Sequence, residues 1–270
     1  IRDRPLPVSI RVTNAAYAPK AGALGRLGLG PVEAAITRKD LRSLTRRREM
    51  ARFLAIPVAV LIPIFVQFTS LPGQESVGRG ILVAVPIMAP LFALFSLIMA
   101  MTSIGQEGQA VLNLYASPTS PTQLLRGKLF SSLVVSLPFN VALTALLLAV
   151  AGAQLELWAA FIAVSLSLTV ESAFIGMAIG CREPDFTEGP RTRFVSVKGW
   201  IVGQLAFWVS ALASEAPIAF YAYSPTLAGR IGLHLPIAAA ATLTVTIIVS
   251  IIAYRYAVGA AARLLRELPA

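Results

Sequence analysis

The sequence predicts an all-α, polytopic membrane protein with six transmembrane helices and helical segments at the cytoplasmic surface. Three observations carry that expectation. Of 270 residues, 56% are hydrophobic and only 13% charged, about half the charge of a typical soluble domain, and mean hydropathy is +0.74. This composition excludes an ordinary water-soluble enzyme. Six apolar stretches are long enough to cross a bilayer, roughly 53–71, 81–102, 129–150, 157–180, 200–222 and 235–256. Finally, 21 of the 23 Lys and Arg residues fall on one side of those spans, with only Arg79 and Arg230 on the other. The positive-inside rule then places both termini in the cytoplasm and the chain in the cytoplasmic membrane. The partition alternates correctly at every connection, which supports the count of six. The net charge of +10 is therefore read as topology and lipid contact, not as a nucleic-acid surface. A single cysteine, Cys181, excludes intrachain disulfides, and a single histidine, His234, argues against a His-based metal centre.

The chain begins at Ile1, which suggests a processed or partial sequence, and residues 1–30 lack the layout of a signal peptide. They read as a cytoplasmic arm or linker, with weak strand-like alternation at Val8, Ile10 and Val12. Residues 31–52 read as a helix entering the membrane, with Gly30 before it and Pro31 in its first turn. Arg38, Lys39, Arg42, Arg46, Arg47 and Arg48 surround most of this helix. Val32, Ile36, Leu41 and Leu44 form no clean stripe, so its plainer reading is anchorage to anionic membrane lipid by snorkelling arginines. Residues 53–256 hold the six spans, and 257–270 form a cytoplasmic tail. Pro57, Pro63, Pro86, Pro90, Pro138 and Pro217 lie within spans. They read as packing kinks, the alternative being that Pro86 and Pro90, or Pro217, soften helices that move.

The connection between the second and third spans, 103–128, is the most informative stretch. On a helical wheel Ile104, Val111, Leu114 and Tyr115 form one stripe opposite Gln106, Gln109 and Asn113, an amphipathic segment that breaks at Pro118. A new helix starts at Ser120, with Pro121 in its first position and Gln123 completing a capping box. From physics alone this is either an interfacial helix on lipid headgroups or an element that receives a push from a soluble partner.

The run Glu107-Gly108, Leu112, Leu114, Ser117-Pro118, Leu124-Leu125 and Gly127-Lys128 resembles the coupling-helix region of prokaryotic type-2 ATP-binding-cassette (ABC) exporter permeases. Gln109-Ala110 departs from the Thr-Leu common in that family. The resemblance implies a permease subunit, or half, with a connecting helix at 31–52 and a coupling helix docked on a separate nucleotide-binding ATPase subunit. Docking would fall on Gln106, Glu107, Gln109, Leu114 and Tyr115. It also implies a second permease half, identical, paralogous or fused. The chain itself would carry no cofactor, since ATP and Mg would sit in the partner. Gly127-Lys128 is not a phosphate-binding loop, because position 122 is threonine.

The loop 181–193, broken by Pro184 and Gly189-Pro190, reads as a solvated link, the alternative being a second ATPase contact or a gate. Gly176/Gly180 and Gly199/Gly203 predict close packing of the fourth and fifth spans. Glu171, at mid-depth of the fourth span, and Glu215, towards the outer end of the fifth, are candidates for the transport path. The other reading is hydrogen-bonded packing groups, with hydroxyls, backbone or water as partners, since no basic residue sits deep in any span. By the same resemblance, Glu215 would belong to a re-entrant plug on the outer side. An integral membrane enzyme has little support, because the chain offers no metal set or nucleophile–base pair. The alternative function is an ion-coupled secondary transporter using Glu171. The substrate cannot be read; a lipid-like or drug-like cargo suits the apolar spans.

Overall fold

The computed structural model describes residues 20–45, 74–110, 119–150, 152–186 and 194–267, with the isolated positions 59, 62 and 66. The described residues are helical throughout, apart from short connections. The first expected span, 53–71, lies outside them but for those three positions. Helix α1 spans Pro31–Thr45, α2 Gln74–Thr102, α3 Pro121–Val150, α4 Leu155–Arg182, α5 Val197–Tyr223, α6 Pro225–Arg230 and α7 Leu235–Glu267. Five of these (α2, α3, α4, α5 and α7) are long and apolar enough to cross a membrane. The count of six therefore stands as five among the described residues.

Local chemistry sets the helix starts. At α3 the Gln123 amide donates to Ser120 Oγ at 3.2 Å and the Ser120 amide to Gln123 Oε1 at 3.1 Å, the reciprocal cap expected from the sequence. At α1 the Glu33 carboxylate reaches back to the Gly30 amide at 2.7 Å. At α5 the Ser196 hydroxyl accepts from the Gly199 amide at 3.0 Å. Pro86 and Pro90, Pro138 and Pro217 lie within continuous α2, α3 and α5. The fifth span thus stays helical through Glu215 and Pro217 to Tyr223, and Glu215 is a helical side chain rather than part of a plug. Only the six-residue α6 lies between it and α7.

Helix α4 is the hub, packed against α2, α3, α5 and α7. Its small residues allow this. A Cβ on Gly176 would lie 2.4 Å from the Leu97 carbonyl, and one on Gly180 2.3 Å from the Met101 carbonyl. The first glycine pair therefore seats α4 on the backbone of α2, rather than on α5 as the spacing suggested. The second pair acts differently: Gly203 faces Met101 and Ile179, while Gly199 faces Glu183 and Val195.

The α4–α5 connection is also more ordered than a solvated link. Pro184 and Val195 form an isolated antiparallel bridge, the Asp185 amide donates to Phe194 O at 3.1 Å and the Ser196 amide to Glu183 O at 3.0 Å. Residues 187–193 lie outside the description. The connection closes over Gly105, where any Cβ would fall 1.8 Å from the Phe194 carbonyl.

Gly176→Val or Gly180→Val should each lower stability by about 1–3 kcal/mol through overpacking. Gly259→Ala, where an added Cβ meets nothing within 4 Å, should stay within about 0.5 kcal/mol of the parent. Thermal unfolding of the three variants in detergent checks the contrast.

Candidate functional site

Two polar sites stand out in a chain this apolar. The first is a charge cluster at the end that carries α1 and the α2–α3 connection. Lys128 sits in the third turn of α3 with its side chain 2% exposed. Its ammonium has three donors, and all are used: Asp40 Oδ1 of α1 at 3.2 Å, the Ser103 carbonyl at 3.1 Å, and the Glu107 carboxylate. Lys39 closes on the other side of Glu107, and Ser131 donates to Asp40 Oδ2 at 3.3 Å. Two cations and two carboxylates from three chain segments thus neutralise one another, with Lys128 and Glu107 buried and Lys39 half exposed at the rim.

Close helix contact brings them together. Thr37 of α1 donates to the Gly127 carbonyl at 3.0 Å, and a Cβ on Gly127 would press on Ile36 at 3.0 Å. Glycine at 127 lets α1 lie on α3, and that contact delivers Asp40 to Lys128.

The residues expected to dock a partner divide accordingly. Glu107 turns inward, 7% exposed. Gln106 is half-buried and donates to Thr102 Oγ1 at 2.9 Å. Gln109 belongs to the short 3-10 turn Gly105–Ala110, which is interrupted at Gly108 with φ 55° and ψ −133°. That positive φ suits glycine and ends any single helical stripe through the segment. Leu114 and Tyr115 lie outside the described residues, as does the part of the basic helix beyond Thr45.

The second site is the polar interior. On α3, Ser132, Ser136, Asn140 and Thr144 recur every fourth residue and are all buried. Ser136 donates to Ser96 Oγ of α2 at 3.1 Å, Asn140 to Thr169 Oγ1 of α4 at 2.6 Å, and Thr144 to Ser165 Oγ at 2.9 Å. This seam ties α2, α3 and α4 together. Across α4 lies Glu171, 1% exposed, which accepts from Ser214 of α5 at 2.8 Å, a hydroxyl partner of the kind the sequence implied. Ser210 and Thr246 stand beside the same carboxylate, and Glu215, 5% exposed, is within its electrostatic reach. Glu171 Oε1, Glu215 Oε1, Thr242 Oγ1 and Thr246 Oγ1 have no hydrogen-bond partner among the described residues. The seam towards α2 and α3 leaves only Asn140 Oδ1 without a partner among the described residues, and the side towards α5 and α7 leaves four such atoms.

Sequence reasoning singled out Glu107, Glu171 and Glu215 but missed Asp40, Lys128 and Ser131 as a cluster. It also missed the fourfold rows of α3 and of Thr242, Thr246 and Ser250 on α7. The rows were readable as polar residues at helical spacing in apolar spans; the charge cluster was not, because its members are far apart in sequence.

Residues 26–255 match a family described as membrane protein of 12 TMs. The chain belongs to this family. That finding overturns the resemblance to type-2 ABC exporter permeases. The motif residues behind it have local reasons in this structure: Glu107 and Lys128 are each other's counter-ions, and Gly127 is the contact point for α1. As a family member the chain is an integral, multi-pass membrane protein. No curated protein and no solved structure matches it.

Replacing Lys128 with Met should destabilise the protein by about 3 kcal/mol, because Asp40 and Glu107 lose their buried counter-ion and only the half-exposed Lys39 remains beside them. Adding Asp40→Asn and Glu107→Gln should recover part of that loss. Unfolding midpoints of the single and triple variants test this, and equal midpoints would show that the carboxylates do not need the lysine.

Proposed function

We propose that the chain is the membrane-spanning transport unit, or one half of it, of an ATP-driven exporter in the cytoplasmic membrane, with both termini cytoplasmic. ATP hydrolysis is supplied by a separate subunit docked beneath the α2–α3 connection. The observation that carries this reading is the Lys128 cluster. It fixes the Gly105–Ala110 turn, α1 and the start of α3 to one another, so a force applied at the turn moves α3 and its polar seam as one body. Glu107 then acts as the brace inside the lever, and the docking surface falls to Gln106, Gln109, Leu114 and Tyr115.

Support for a second half comes from the family's description as a protein of twelve spans, twice the six read in this sequence, and from the outer faces of α5 and α7. Leu205, Leu212 and Ile252 are 61%, 70% and 63% exposed and offer an apolar wall to lipid or to another helical unit.

A second reading is favoured by one observation. Glu171 keeps an unpartnered oxygen in a nest of hydroxyls, a donor set suited to a small cation, so the alternative is ion-coupled transport through Glu171 and Glu215.

Flux into vesicles separates the two. For ATP-driven export, an ATPase copurifies with the chain, transport needs nucleotide, and Glu171→Gln lowers turnover without releasing the ATPase. For ion coupling, flux follows a sodium or proton gradient without nucleotide, and Glu171→Gln abolishes the ion dependence. Gradient-driven flux by the chain alone would overturn the first reading.

A further inference from the structure

The cleft between α4, α5 and α7 combines two chemistries that neither the charge cluster nor Glu171 explains. Its membrane-level part is a groove of about 410 Å³ with apolar walls, among them Ile175, Val202, Ala206, Val249 and Ile252. Val202 and Ile252 are 44% and 63% exposed, so the groove opens sideways, where a bilayer lies against the spans. At the α1 end it runs into a wider hollow that shares Arg182, Glu183 and Tyr256 and adds Arg255, Gly259 and Arg263.

Four cations, Arg182, Lys198, Arg255 and Arg263, border these two adjoining pockets against one carboxylate, Glu183. That carboxylate is already engaged, accepting from the Ser196 hydroxyl at 3.1 Å and lying 3.9 Å from Arg182. Arg182 also sits over the Tyr256 ring at 5.6 Å. Lys198, Arg255 and Arg263 have no acidic partner among the described residues, so the cleft carries surplus positive charge. Arg255, Gly259 and Arg263 share one face of α7 at four-residue spacing. Nothing lies within 4 Å of where a Cβ on Gly259 would be, so the two arginines flank open space. The depth is also right. Arg255 lies twenty residues beyond Leu235, a rise of about 30 Å, which is the thickness of the hydrocarbon core. Arg255 therefore stands where the hydrocarbon core gives way to headgroups, Arg263 lies about two turns further out at the aqueous edge of that layer, and the groove lies at acyl-chain level.

We propose that this cleft binds one anionic phospholipid, with an acyl chain in the groove between α5 and α7 and the phosphate between Arg255 and Arg263. A soluble anion satisfies only the cations, and a neutral lipid or apolar helix only the groove. An anionic phospholipid satisfies both. The site is independent of how transport is driven, and its occupant bridges the α4–α5 connection to α7.

The test uses the full chain in nanodiscs of phosphatidylcholine doped with spin-labelled phosphatidylglycerol or spin-labelled phosphatidylcholine, reading the motionally restricted fraction. The parent should favour phosphatidylglycerol. Arg255→Gln with Arg263→Gln, both exposed positions, should lower that preference by about tenfold or more, since each basic residue contributes at headgroup level. Arg230→Gln, which removes one charge at the other end of the spans, should not, whereas Arg255→Gln alone, with the same single charge loss, should lower it in part. Ala206→Phe, which fills the groove and leaves every charge in place, should also release the labelled lipid. Inorganic phosphate should not displace it.

An unchanged preference in the double arginine variant overturns the proposal. So does retention of the lipid by Ala206→Phe, or displacement by inorganic phosphate at concentrations matching the lipid, which would mark a simple anion site.

Discussion

The corner of the molecule where α1, the Gly105–Ala110 turn and α3 meet depends on one ammonium group. Lys128 is almost wholly removed from water, and a lone buried cation there would be costly by several kcal/mol. Asp40, Glu107 and the Ser103 carbonyl make it tolerable, and they come from two places far apart in the chain, α1 and the α2–α3 connection. The demand runs both ways, since the buried Glu107 and the partly buried Asp40 share the lysine, with Lys39 at the rim as their second cation. Once Gly127 has let α1 approach α3, only a narrow set of arrangements satisfies all the charges. The pairing matters more for this uniqueness than for net stability, because much of the attraction is spent on desolvation.

The interior beyond that corner is built on a contrast across α4. Towards α2 and α3, glycine-mediated backbone contact and a ladder of hydroxyl and amide bonds leave few free polar groups, as expected of a packed, rigid interface. Towards α5 and α7, polar groups are equally buried but several lack partners. Native interiors satisfy nearly all such groups, so the places that do not are where function is expected to draw on stored cost. Helix α4 is the packing hub at which both polar faces meet.

Some of this was legible in the sequence for plain physical reasons. A bilayer accepts only long apolar helices, so composition and window length fixed the class and the positions of five spans. The Ser120–Gln123 cap was readable because its partners are three residues apart. Long-range relations were not readable. Gly176 and Gly180 announced a close approach but not that α2 would be the neighbour, and Glu107 looked like a surface residue because its neutralising lysine lies 21 positions on. Short motifs such as Glu-Gly and Gly-Lys recur wherever a turn must bend or helices must touch. That is why a 25-residue likeness pointed to the wrong family while the longer match to a twelve-span family held.

The amino-acid order alone determined that the chain spans a membrane, roughly where it does so, and how individual helices begin. Those outcomes follow from transfer free energy and from hydrogen bonds among near neighbours, which act within a few turns. Only the tertiary structure decided which helix each glycine meets, which charges cancel in the buried corner, and which carboxylates keep an unpaired oxygen. Those outcomes depend on distances between residues far apart in the chain, where low dielectric and close packing turn small displacements into large energies.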